Sequence, residues 1–126
     1  MGFTILVVED NSSNMLLIST ILKRAGYTVL EAERAEPGIA LARSARPALI
    51  LMDVALPGLD GHDATRALKA DPETCNIPVV ALTAHAMKGD EEKAREAGCD
   101  GYVTKPVNSR ALMKVVADLI AQTGSK

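Results

Sequence analysis

The sequence predicts an α/β fold in which five parallel strands form one doubly wound sheet with helices on both faces. Apolar stretches bounded by turn residues recur five times along the 126 residues, and stretches with helical period separate them. This alternation is typical of strand–helix units around a parallel sheet. The first, third and fourth stretches are apolar on both faces, which is expected of central strands covered by helices on each side.

The predicted strands are short apolar segments that are bounded by polar or turn residues. They comprise residues 4–8 (TILVV), 28–32 (TVLEA), 48–52 (ALILM), 78–82 (PVVAL) and 101–104 (GYVT). Each is followed by a stretch that can form a helix, so the chain is predicted to consist of five successive strand–helix units.

The first three helices are predicted from apolar residues at helical spacing. The second covers about 36–45, and the third covers about 61–70 and stops before Asp71-Pro72, because the residue before a proline disfavours helix. The first ends at Gly26, which we expect to be a left-handed cap. The residues expected to face the core are Asn14, Ile18, Ile21, Leu22 and Ala25 in the first helix, Ile39 and Ala42 in the second, and Ala64, Ala67 and Leu68 in the third.

The last two helices differ strongly in apolar content. The fourth, about 88–97, is mostly charged and has little beyond Ala94 and Ala97 to anchor it, so we expect it to be loosely held. The fifth, about 109–121, begins at a cap formed by Asn108 or Ser109. Its apolar stripe comprises Leu112, Val115, Val116, Leu119 and Ile120.

The composition argues against several classes of protein. No apolar run approaches the roughly 18 residues of a membrane span, and no secretory signal begins the chain, so we expect a cytoplasmic protein without membrane contact. The net charge of −2 and the scattered basic residues suggest no surface for nucleic acid. Cys75 and Cys99 belong to no CxxC pair and are interpreted as reduced structural thiols. We expect residues 1–126 to form one domain with no output domain.

Polar residues stand at the ends of four predicted strands, at the edge where open parallel sheets bind ligands. They are Glu9 and Asp10 after the first strand, Asp53 at the end of the third, Thr83 after the fourth and Lys105 after the fifth. Like charges about 4 Å apart repel by ~1 kcal/mol in water and ~4 kcal/mol at an effective dielectric near 20, so three clustered carboxylates need a cation. Lys105 supplies one positive charge, and the all-oxygen ligand set suits Mg²⁺.

A carboxylate beside a metal ion, a lysine and a hydroxyl is an arrangement that can handle a phosphoryl group. The ion and Lys105 would neutralise phosphoryl oxygens, Thr83 would donate a hydrogen bond to one of them, and an ionised carboxylate could act as the in-line nucleophile. Strand position alone does not choose between Asp53 and Asp10 as that nucleophile.

Four motifs resemble, in order and spacing, the CheY-like receiver domain of two-component response regulators. They are VVEDN, LILMDVALPGLDG, VVALTA and YVTKP, and the resemblance covers essentially the whole chain. It implies a flavodoxin-like (βα)5 fold and a signalling protein rather than an enzyme. It also implies that Asp53 is the phosphoacceptor, which receives its phosphoryl group from a histidine of a sensor kinase or a phosphotransfer protein.

The resemblance assigns roles to the residues around Asp53 as well. Thr83 and Lys105 would bind the phosphoryl oxygens. The implied Mg²⁺ ligands are Glu9, Asp10, Asp53 and the backbone carbonyl of Ala55.

Other implied features concern switching and phosphoryl lifetime. The Lys105-Pro106 bond would be cis, and Tyr102 would turn inward as Thr83 moves. Ala55 and His85 flank the path of an attacking water in the family and are candidates for tuning the lifetime; His85 could equally be a solvated loop residue. The output would be a contact between a downstream protein and the surface of the fourth helix, fifth strand and fifth helix, in a monomer or weak dimer.

Three other interpretations remain to be weighed. A phosphatase of the haloacid dehalogenase type wants a second acid two residues after its nucleophile, whereas Asp53 is followed by Val54 and Ala55. A flavodoxin-like cofactor site would need a phosphate loop, but EDNSSN opens with two acids, and no GxxxxGK[ST] loop for nucleotides exists. A receiver cut from a hybrid kinase or multidomain regulator would have the same motifs as a stand-alone protein.

Overall fold

The chain alternates strands and helices five times. The computed structural model describes residues 3–54, 61–83, 88–105 and 107–124. The strands are β1 (Thr4–Val8), β2 (Thr28–Ala32), β3 (Leu49–Asp53), β4 (Val79–Thr83) and β5 (Gly101–Thr104). The helices are α1 (Ser12–Arg24), α2 (Ala35–Ala45), α3 (Gly61–Ala70), α4 (Lys88–Ala97) and α5 (Ser109–Gly124).

The five strands form one parallel sheet in the order β2-β1-β3-β4-β5. The predicted fold class is therefore confirmed, and the three strands that are apolar on both faces are the central ones. β3 and β4 each begin and end one residue later than predicted, because pairing continues through their last residues. Asp53 pairs with Leu82, and the Val54 N–H donates to the Leu82 carbonyl at 3.0 Å. Asp53 and Thr83 thus belong to the strands and do not follow them.

The core consists of two apolar layers, one on each face of the sheet. One layer joins α1 and α5 to the sheet through residues such as Ile18, Leu22, Leu112 and Val116. The other joins α2 and α3 through Ala35, Ala42, Ala64 and Leu68. All five residues of β3 and of β4 are buried, so both layers hold these strands in place.

The predicted core faces of two helices are partly wrong. In α1, Met15 and Ser19 are buried while Ala25 is exposed, and Ser19 satisfies its hydroxyl by donating to Glu31 at 2.8 Å. In α3, Ala67 is exposed and Thr65 is buried, with its hydroxyl donating to the Gly61 carbonyl at 2.8 Å. The apolar pattern missed Ser19 and Thr65 because a polar side chain can be buried when it has a hydrogen-bond partner.

The helix ends follow the predicted signals. Asn108 caps α5, because its Oδ1 accepts from the backbone N–H groups of Arg110 and Ala111 at 2.9 and 3.2 Å. Gly26 has a φ of +96°, as expected of a left-handed cap. Within the described part of the chain, no helix has both the length and the apolar content to cross a bilayer.

Candidate functional site

The parallel sheet brings the polar strand ends to one edge of the molecule. Glu9 and Asp10 follow β1, Asp53 ends β3, Thr83 ends β4 and Lys105 follows β5. Main-chain hydrogen bonds hold these positions: the Glu9 N–H donates to the Ala32 carbonyl at 3.0 Å, and the Lys105 N–H donates to the Thr83 carbonyl at 2.7 Å. The side chains therefore start from a backbone with little freedom to move.

Three carboxylates meet at the centre of this edge. Glu9, Asp10 and Asp53 each offer a carboxylate oxygen, and these oxygens all lie within 4.8 Å of one another. Glu9 and Asp53 are buried, at 1% and 2% exposure, whereas Asp10 is exposed. The cluster is therefore closed towards the core and open to solvent on the side of Asp10, where a hydrated cation can enter.

Lys105 supplies a positive charge to this cluster. Its Nζ lies 2.9 Å from Glu9 Oε1 and 2.9 Å from Asp53 Oδ2, so it bridges two of the carboxylates. Burial alone would lower the pKa of Lys105, but Glu9 and Asp53 outweigh burial and raise it above its ordinary value. Lys105 therefore stays charged and leaves a net negative site for a further cation.

Glu9 is the most buried of the three acids. Burial, followed by the neighbouring Asp53, raises the pKa of Glu9 from 4.5 to about 7, although Lys105 and the Asn11 N–H act in the opposite direction. Its Oε2 accepts from the Asn11 N–H at 3.1 Å. Its Oε1 is buried and lies 2.9 Å from the Lys105 ammonium. A buried oxygen of this kind, among other carboxylate oxygens, fits the ligand set of Mg²⁺.

The structure separates the two candidate nucleophiles. Asp53 is buried and in contact with Lys105, at the end of a strand that is held on both faces, while Asp10 is exposed in the loop after β1. Thr83 is 4% exposed on the neighbouring strand, one residue beyond the Leu82 that pairs with Asp53. Asp53 thus contacts the lysine that follows β5 and lies beside the strand that carries Thr83.

Gly61 is a contributor to the site that the sequence analysis did not identify. A Cβ at Gly61 would lie 2.2 Å from the Asp53 carbonyl oxygen and 2.6 Å from the Val54 Cα. Its N–H donates to the Val54 carbonyl at 3.3 Å. The first residue of α3 thus packs directly on the main chain of Asp53, and only glycine leaves the necessary space. A glycine just after the loop that follows β3 was the available signal.

The remaining residues singled out in the sequence are Tyr102, the two cysteines, Ala55, His85 and Pro106. Tyr102 is half-buried on β5 and borders a small cavity of about 70 Å³ together with Ala94 and Cys99. Cys75 and Cys99 are free thiols, as predicted. Ala55, His85 and Pro106 lie outside the described residues.

Comparison with protein families matches residues 5–117 to the response regulator receiver domain. The chain belongs to the response regulator receiver family. This receiver is also similar to curated relatives named polar-differentiation response regulator DivK. It is 44% identical to the protein from Brucella anthropi over 105 residues, which cover 83% of this chain and 85% of that protein, and 43% identical to the protein from Brucella ovis over the same shares. The motifs VEDNSSNM and TAHAMKGDEEKAREAGCDGYVTKP predict the same likeness to DivK.

Solved structures of other receivers have the same fold. A putative response regulator from Chloroflexus aurantiacus has a TM-score of 0.93 and 28% identity, over 96% of this receiver and 99% of that chain. The receiver domain of sensor histidine kinase PA1611 from Pseudomonas aeruginosa has a TM-score of 0.89 and 36% identity over the same shares. In that structure a magnesium ion is coordinated in the active site cleft. The expected two-component receiver is therefore confirmed, and the phosphatase and cofactor-binding alternatives lose their support.

Proposed function

We propose that this receiver accepts a phosphoryl group on Asp53 from a phosphohistidine of a sensor kinase or phosphotransfer protein. The observation that supports this most is the contact of the Lys105 ammonium with the buried Asp53 carboxylate, 2.9 Å apart, at the open edge of the sheet. Lys105 there offsets the charge of the acceptor and later that of the phosphoryl oxygens.

The transfer is an in-line displacement at phosphorus. An oxygen of the ionised Asp53 carboxylate attacks, and a P–O bond forms as the P–N bond to the donor imidazole breaks. The imidazole nitrogen keeps the electron pair. Lys105 binds one phosphoryl oxygen through its ammonium, and the Thr83 hydroxyl donates to another.

Glu9, Asp10, Asp53 and the backbone carbonyl of Ala55 would hold Mg²⁺ in this receiver. When bound, the ion neutralises charge on the acceptor and on the phosphoryl oxygens. The clustered oxygens of the three acids, with the Oε1 of Glu9 buried among them, support this assignment. The exposed Asp10 side of the cluster leaves room for the waters that Mg²⁺ would retain as ligands.

The remaining roles belong to the same proposal. Thr83 and Tyr102 act as the switch, and Ala55 and His85 tune the phosphoryl lifetime. The signal leaves through a downstream protein that contacts the surface of α4, β5 and α5. The protein acts in the cytoplasm as a signalling acceptor that turns over no small substrate, and residues 1–126 form one receiver domain. The alternative to a stand-alone regulator is that this receiver is part of a larger kinase, because it is similar to the receiver domain of sensor histidine kinase PA1611.

Intact mass after incubation with Mg²⁺ and a small acyl phosphate tests the acceptor. We expect the wild type to gain one phosphoryl group, and Asp53→Asn to gain none. Asp63→Asn is the matched control, because Asp63 is an exposed acid of α3 that pairs with Arg66 outside the site, and it should gain the group normally. An undiminished gain in Asp53→Asn would refute the proposal, as would no gain in the wild type.

A further inference from the structure

A second polar cluster lies at the opposite end of α3 from Gly61, away from the carboxylates. Its centre is the Lys69 ammonium, whose side chain is 22% exposed. Nζ donates to the Ile77 carbonyl at 2.9 Å and to the Cys75 carbonyl at 3.4 Å, and it pairs with Asp100 Oδ2 at 2.9 Å. One side chain of α3 thus binds both the turn before β4 and the segment between α4 and β5.

Asp100 connects this segment to the sheet. The same Oδ2 accepts from the Val79 N–H at 2.9 Å, and the Asp100 N–H donates to the Val79 carbonyl at 2.7 Å. Val79 is the first residue of β4, the strand that ends at Thr83. The segment Gly98–Asp100, called the α4–β5 corner below, is therefore fastened to α3 and to β4 at once.

The corner also packs closely on α3. Gly98 has a φ of +107°, and a Cβ there would lie 2.9 Å from Lys69 Cγ, so the lysine stem lies directly against it. One turn earlier in α3, the Thr65 hydroxyl lies 3.8 Å from the Cys99 thiol and donates to the Gly61 carbonyl. Through Gly61, the same helix packs on the main chain of Asp53.

The body of α4 is held much less firmly than the corner. Among residues 92–97, whose side chains the structure describes, only Ala94 and Ala97 are buried. The other four, Glu92, Lys93, Arg95 and Glu96, are exposed. A helix that is fastened at one end and lightly packed along its length rearranges most at its free end.

We propose that Lys69 and Asp100 form a clamp that fixes the C-terminal end of α4, so that the α4–β5 corner is the pivot about which α4 rearranges when Asp53 is phosphorylated. The pivot role rests on the proposed function, whereas the clamp itself does not. The clamp determines which part of α4 can move on phosphorylation, because it keeps the corner bound to β4 and α3 while the phosphorylation site changes.

Amide hydrogen exchange on the unphosphorylated protein tests the clamp. Lys69→Met keeps the stem against Gly98 but removes the donor, and we expect the amides of Val79, Cys99 and Asp100 to exchange about tenfold faster. Asp100→Asn should accelerate the same amides and serves as an independent variant if Lys69→Met folds poorly. Arg66→Met is the control, because Arg66 pairs with Asp63 on the exposed face of α3, away from Lys69 and Asp100. Unchanged exchange in both clamp variants would overturn the proposal.

The same measurement after phosphorylation tests the pivot. In the wild type, we expect exchange to change in the first half of α4 and to stay constant at Cys99 and Asp100. In Lys69→Met, the change should extend through the corner. A wild-type change that is largest at the corner would overturn the pivot role. Intact mass of each sample separates the two hypotheses: no phosphoryl gain refutes the proposed function and the pivot together, while the clamp is judged on the unphosphorylated samples.

Discussion

At the scale of single residues, the site places three acids and one lysine together at a partly buried edge of the sheet. Glu9, Asp10 and Asp53 lie together, and Lys105 bridges two of them. Burial, and after it the neighbouring Asp53, raises the pKa of Glu9 to about 7 despite Lys105, so this carboxyl keeps its proton to a higher pH than usual. A divalent cation would replace that proton.

The raised pKa of Glu9 predicts a pH dependence of stability in the absence of metal. The pKa of Glu9 is raised from 4.5 to about 7 in the folded protein, so its stabilising contribution is complete below 4.5 and is lost as the pH rises through 7. The groups that face it are Asp10, Asp53 and Lys105. Urea unfolding with a chelator at about pH 5 and about pH 8 should show this loss in the wild type.

Glu9→Gln is the comparison that isolates the acid. The glutamine side chain cannot ionise, so the stability of this variant should fall less between the two pH values than that of the wild type. Mg²⁺ should stabilise the wild type more at the higher pH, because it binds the ionised carboxylate. An identical pH dependence in Glu9→Gln would contradict the assignment to Glu9.

At the scale of secondary-structure elements, the position of Asp53 depends on how α3 meets β3. Asp53 is the last residue of a fully buried strand, and the first residue of α3 lies against its carbonyl. The Thr65 hydroxyl donates to the Gly61 carbonyl and reinforces the start of the helix. Strand and helix therefore set the acceptor position together.

We predict that Gly61→Ala slows phosphorylation of Asp53 at least tenfold and lowers stability by about 1–3 kcal/mol. The added Cβ would lie 2.2 Å from a main-chain oxygen, which cannot rotate away, so the end of β3 or the start of α3 must shift. The rate of phosphoryl gain by intact mass and the free energy of unfolding in urea measure the two effects.

Gly26→Ala is the matched control for Gly61→Ala. Gly26 has a φ of +96° and nothing within 4 Å of a Cβ, so alanine there brings strain but no clash. We expect a loss on the order of 1 kcal/mol and an unchanged phosphorylation rate. Equal effects of the two substitutions on the rate would show that Gly61 has no special role in placing Asp53.

At the scale of the whole molecule, two apolar layers hold the central strands rigid and bring their ends to a common edge. The α1–α5 layer and the α2–α3 layer cover opposite faces of the sheet. α4 differs from the other helices, because its described side chains bury only two alanines. The molecule thus combines a rigid acceptor edge with one lightly packed helix beside it.

Removal of core volume should therefore cost far more than removal of surface volume. Leu112 on α5 is completely buried, and Leu112→Ala should lower the free energy of unfolding by about 2–5 kcal/mol. Leu16 on α1 is 69% exposed, and Leu16→Ala should change it by no more than about 0.5 kcal/mol. Both replace leucine by alanine within a helix, so the difference measured in urea reports burial. Equal losses would argue against the α1–α5 layer.

Much of this architecture is encoded locally. Alternation of apolar strands with helical stretches predicted the element order and the central strands, and the polar strand ends predicted which residues approach one another. These features follow from patterns over a few neighbouring residues, so they can be predicted from the sequence alone. The ends of β3 and β4, each one residue later than predicted, depend instead on pairing with neighbouring strands.

Features that join distant parts of the chain could not be obtained in this way. The burial of Ser19 in α1 depends on Glu31, which lies on another element. The contact of Gly61 with Asp53 depends on the path of the chain around the site, and Lys69 meets Asp100 across 31 residues. Such contacts arise from the way helices and sheet pack together. The local sequence pattern determines which face of an element is apolar, but it does not determine which atoms of two elements come into contact.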